Sequence, residues 1–160
     1  MFTRSDVIAV DMMVKDWARR GDKSPIRYYK TINVSNEHTL EHAKSLFKKD
    51  DFLLVFQTEA QAQMFVDNPR TIMMDGTHGV TGYNYYLLTV MVVDKNGQGL
   101  CVAWGIASRE NEYTWQLLGK AMRAPCHNLK PKVGMADMAM AAWNGMHVVF
   151  PSLEHHLWGW

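Results

Sequence analysis

The chain has only two cysteines, Cys101 and Cys126, and they form no Cys-x-x-Cys pair. Neither a disulfide framework nor a cysteine zinc site is indicated, so the expected compartment is a reducing one. Charge of one sign is also scarce. Seventeen basic against sixteen acidic residues leave a net +1, which gives no global pull toward nucleic acid, so any DNA contact must come from a local patch. Lys, Asp, Asn and Gly interrupt every apolar run before the roughly 20 residues that a membrane-spanning helix needs. The first residues, Met1-Phe2-Thr3-Arg4-Ser5-Asp6, lack the apolar core and small-residue cleavage site of a signal peptide. No internal repeat or low-complexity tract is present.

What is present is enough apolar material for one folded domain and an extension: 160 residues, 48% hydrophobic and 21% charged. Twelve methionines are scattered through the apolar runs, where they serve as core filling. Val7, Val10, Val14 and Trp17 stand at helical spacing in residues 5–20, with Ser5 as a start signal and Gly21 as a stop. Residues 26–51 read as polar and basic, with Arg27, Lys30, Lys44, Lys48 and Lys49, and a helix is expected over 38–49. We therefore expect a helical N-terminal extension, 1–51, followed by the main unit, 52–160.

In that unit, residues 52–56 and 71–75 have strand length, and a helix is expected between Thr58 and Pro69. Residues 83–94 and 98–107 flank Lys95-Asn96-Gly97, and Asn-Gly is a strong hairpin signal. Helices are expected over 110–123 and 138–150, with strands over 132–136 and from 154 onward. From Thr71 the order is three antiparallel strands, then helix, strand, helix, strand. That order is the ribonuclease H-like topology, an α/β fold with a mixed sheet, in which the first and fourth of these strands lie side by side. Asp75 and Asp137 each end one of those two strands. A carboxylate at the end of a buried strand is costly to desolvate unless paired or bound to a cation. The plain alternative is a strand-end or helix N-cap aspartate, and Asp137 before Met138 suits an N-cap.

Met74-Asp75-Gly76-Thr77-His78-Gly79 and the apolar 88–94 run resemble the first catalytic block of Mutator-like element transposases. Residues 99–110 resemble their third strand and the turn after it. Met135-Ala136-Asp137-Met138-Ala139 resembles the block of the second catalytic aspartate, and Val149-Phe150-Pro151 with His155-His156-Leu157-Trp158 resembles the segment that follows. Asp-Gly-Thr-His-Gly brings the animal SWIM-type zinc-finger proteins with a ribonuclease H-like domain nearest. The likeness covers roughly residues 52–160.

The resemblance implies a DNA strand cleavage and transfer core in which Asp75 and Asp137 bind Mg2+ or Mn2+ and a downstream glutamate completes the set. That glutamate would follow a long insertion, and the chain ends first. The expectation is a nuclear fragment or domesticated remnant of a transposase, with DNA as ancestral partner and no catalysis alone. The alternative is a non-catalytic DNA- or protein-binding scaffold. Among other carboxylates, Asp94 suits a turn and Glu110 and Glu112 a helix start, while Glu154 is the only one after Asp137. His78, His155 and His156 are read as packed or exposed rather than metal-bound. Trp104, Trp115 and Trp143 are expected mostly in the core, leaving Trp158 and Trp160 as candidates for base stacking.

Overall fold

The computed structural model describes residues 3–32, 48–79, 82–126, 128–137 and 140–157. Helix α1 (Arg4–Ala18) begins at Thr3, whose hydroxyl caps the Asp6 amide while the Asp6 carboxylate answers the Thr3 amide. The start therefore lies at Thr3 rather than Ser5. Next come strands β1 (Ile26–Lys30) and β2 (Leu53–Phe56) and helix α2 (Glu59–Asp67), which has the same reciprocal cap between Thr58 and Gln61. Strands β3 (Thr71–His78), β4 (Tyr86–Val93) and β5 (Gly99–Ala107) precede helix α3 (Glu112–Arg123), strand β6 (Val133–Ala136), helix α4 (Met140–Val149) and strand β7 (Glu154–Leu157).

The strands form one mixed sheet in the order β1-β2-β5-β4-β3-β6-β7. Pairings from β1 to β3 are antiparallel, while β3–β6 and β6–β7 are parallel. This is the mixed α/β, ribonuclease H-like arrangement expected from the element order. The 94–98 turn is built as its residues suggest: Asp94 accepts from the Asn96 and Gln98 amides, and Gly97 takes φ +77°.

Two differences from the sequence pattern matter. Residues 26–30, in the stretch read as polar and basic, are the edge strand of the sheet. And β3 continues to His78, since Gly76, Thr77 and His78 pair with Leu88, Leu87 and Tyr86. The helix expected over 38–49 lies almost wholly outside the described residues.

Period-two alternation sorts the side chains into two layers. Leu53 and Val55 of β2 join Ile72, Met74, Leu88 and Val90 under Phe65 of α2, Trp115 and Leu118 of α3 and Met146 of α4. Leu54 and Phe56 point the other way, with Phe52 and Tyr85, toward Val10 and Val14 of α1. Three helices thus cover one face, and α1 covers the β1–β2–β5 side of the other. Trp104, on β5 at the border of that cover, keeps 40% of its surface exposed.

The candidate carboxylate site

β3 and β6 run side by side, and their pairing ends at Met74 with Ala136. Asp75 and Asp137 are the next residue of each chain. β6 stops there while β3 continues, so Asp75 is not a strand end but the first residue of β3 beyond its parallel neighbour. The strand order thus brings together the two aspartates singled out from the sequence, with adjacent strands about 4.8 Å apart. Both are exposed. Asp75 accepts a hydrogen bond from the Thr77 hydroxyl at 3.2 Å, a contact between side chains on one face of β3.

Glu110 has a duty that the sequence does not reveal. A Cβ on Gly76 would lie 2.7 Å from Glu110 Cδ and 2.8 Å from Oε2, so the carboxylate occupies the space a side chain at 76 would need. Gly76 alternates with Asp75, so Glu110 approaches from the helical face of the sheet while Asp75 projects from the other. The fully buried Trp115 donates its indole N–H to Glu110 Oε1 at 3.1 Å. Glu110 is therefore anchored to α3 rather than turned toward Asp75. Just before it, Arg109 forms an ion pair with Asp51 at 2.9 Å.

We expect Glu110→Ala to lose about 1–3 kcal/mol of stability in urea denaturation, the cost of leaving the Trp115 indole N–H buried without an acceptor. Gly76→Ala should lose a similar amount, because the new methyl expels the same carboxylate. The double variant should cost little more than either single change. Additive losses would show that the two positions act separately.

The remaining candidates do not converge on Asp75. Glu154 pairs with Val133 at the far end of β6, some 13 Å along the strand from Asp137 at about 3.3 Å per residue. His78 tilts against Tyr86, with ring centroids 4.6 Å apart, and His155 stacks on Trp143 at 4.5 Å. His156 is exposed on β7. Among the described residues no three His, Cys, Asp or Glu side chains gather to hold a metal. Within the stretch read as polar and basic, Lys30 is only 5% exposed and gives its ammonium to main-chain carbonyls. Trp115 is buried as expected and Trp143 is partly covered, whereas Trp104 is open. Trp158 and Trp160 lie outside the described residues.

Trp104 shares a row with the carboxylates: Asp75 pairs with Thr89, and Thr89 pairs with Trp104. The indole and Asp75 therefore project from one face of the sheet, two strands or about 10 Å apart. No described helix is long and apolar enough to cross a membrane. Residues 30–155 match the family model of the ribonuclease H-like domain of zinc finger SWIM domain-containing protein 1/3. No curated protein matches the chain.

Proposed function

The chain belongs to the zinc finger SWIM domain-containing protein 1/3 family through its ribonuclease H-like domain, and from that premise we propose that this nuclease-like scaffold descends from a Mutator-like transposase core. In this reading it acts in the nucleus, binding DNA without cutting it unaided. The observation that carries the reading is the register: Asp75 and Asp137 directly follow Met74 and Ala136, the last pair of two parallel neighbours.

Two carboxylates supply hard oxygen donors, the chemistry that suits Mg2+ or Mn2+. Mg2+ commonly binds one or two carboxylates and completes its shell with water and substrate phosphates. Asp75 and Asp137 are the residues that would hold it. A bound ion supplies charge stabilisation at phosphorus, where two ions normally clamp the attacking and leaving oxygens. With Glu110 tied to Trp115 and Glu154 at the wrong end of β6, the described residues offer no third carboxylate to fix a second ion. Those two placements favour the binding scaffold over the complete enzyme. Trp104 lies where it could stack on a base of DNA whose backbone passes Asp75.

Calorimetric titration with Mn2+ and Mg2+ tests the site. The native chain should bind at millimolar levels, and the Asp75→Asn, Asp137→Asn double variant should not. Equal heats from both proteins would reduce the carboxylates to surface groups. Neither protein should cleave or join duplex DNA. Cleavage by the native chain that vanishes in the double variant would restore the enzyme.

A further inference from the structure

At the other end of the sheet, the β1–β2 register slips. Ile26 pairs with Phe56 but Tyr28 with Val55, so Arg27 is the extra residue of a β-bulge. Bulges redirect side chains, and this one turns Arg27 to the helical face. Burial pushes the Cys126 thiol up, and the nearby Arg27 guanidinium offsets part of that rise. Arg27 lines an open cavity of about 550 Å³, floored by Ala62, Val66 and Pro125 and edged by Lys23, Asp22 and Glu59. Its Nε is buried without a hydrogen-bond partner. Gln57 follows Phe56 on the face of Leu53 and Val55. It is fully buried, and both its side-chain amide atoms also lack partners. The half-buried Arg27 thus brings a buried Nε with unused hydrogen-bonding capacity to the wall of a cavity, and a second unsatisfied polar side chain, Gln57, sits just beyond the paired end of the neighbouring strand; such a corner is where a bound group is to be sought.

We propose that this cavity is a binding site for a phosphate monoester that carries hydroxyl groups. The guanidinium fork matches two oxygens of a phosphate, and Lys23 adds the second positive charge. Asp22 and Glu59 would repel a bare anion close to them, but as acceptors they suit the hydroxyls of an attached sugar. The volume falls in the range of small-molecule sites. Arg27 precedes the family-matched segment, and the site is independent of the carboxylate pair.

Calorimetry with ribose 5-phosphate, inorganic phosphate and ribose provides the test. Ribose 5-phosphate should bind more tightly than inorganic phosphate, and ribose should not bind. Arg27→Gln should weaken ribose 5-phosphate at least about tenfold, the loss of a charge-assisted pair, and Asp75→Asn should leave it unchanged. Because Arg27 Nε is buried with no hydrogen-bond partner among the described residues, Arg27→Gln should melt no earlier than the native protein. The exposed Lys23→Ala should also weaken binding, and it serves as the readout if Arg27→Gln does not fold. No binding up to the order of 10 mM, or equal binding by the native chain and both variants, overturns the site.

Discussion

Gly145→Ala is expected to destabilise the fold by about 3 kcal/mol, the upper end of the cost of overpacking a close-packed core. On an ordinary helix the same change stabilises by about 0.8–1 kcal/mol, so the sign itself is diagnostic. The reason is what the new methyl would meet. Its ideal position lies 2.6 Å from Trp115 Cβ and 2.8 Å from the Gln116 amide nitrogen, and closer still to the Glu112 carbonyl oxygen. These are main-chain atoms and the root of a side chain, so none can rotate aside. α4 would have to back away from α3, loosening the contacts of Trp115 and Met146, both fully buried. Gly119 is the informative comparison. A methyl there would meet Met146 Sδ at 2.7 Å and Val149 Cγ2 at 3.0 Å, and a methionine can change rotamer. Gly119→Ala should therefore cost clearly less. Urea denaturation of the two variants decides it, and a Gly145→Ala protein as stable as the native one would mean that the helices are not in close contact.

Where side-chain patterns repeat locally, the sequence could be read. The apolar runs around Asn96-Gly97 gave the hairpin, and the later alternation of helix and strand made β3 and β6 neighbours, which brings Asp75 and Asp137 together. β1 was missed because Ile26-Arg27-Tyr28-Tyr29-Lys30 reads as polar and basic. The burial of Lys30 depends on carbonyls contributed by Lys49 and Asp51, about twenty residues along the chain. The last turn of β3 was missed because Gly76-Thr77-His78 has poor strand character, and pairing with β4 overrides it. From its position before the helix, Glu110 reads only as a helix-start anion. Its tie to Trp115 is local, but its place against Gly76 exists only once α3 lies on the sheet. The separation of Glu154 from Asp137 likewise comes from parallel register, which spacing does not encode.

Lys30→Met is expected to cost about 1.5–3 kcal/mol, the range for hydrogen bonds made by a charged group. Lys30 Nζ donates to the carbonyl oxygens of Thr31 at 3.3 Å, Lys49 at 3.0 Å and Asp51 at 2.6 Å. Burial pushes its pKa down, and the nearby Asp51 and Asp50 carboxylates push back up. The ammonium is thus held charged against its own desolvation by what surrounds it. Methionine fills the space of the stem but leaves three carbonyls without that donor. The damage should also spread. Asp51, 4% exposed, receives Arg109 on its carboxylate, and Arg109 precedes the glutamate that holds Trp115 against Gly76. Polar contacts at Asp51 and the peptide link from Arg109 to Glu110 therefore connect the edge strand to the residue beside Gly76. If these contacts act as a unit, Lys30→Met and Asp51→Asn are non-additive, and the double variant loses at least about 0.5 kcal/mol less than the two single losses summed. Denaturation midpoints of the four proteins measure this coupling. A Lys30→Met loss below about 1 kcal/mol, within the range of ordinary surface pairs, would mean that the ammonium contributes no more than an exposed lysine and that β1 is held by its apolar face alone.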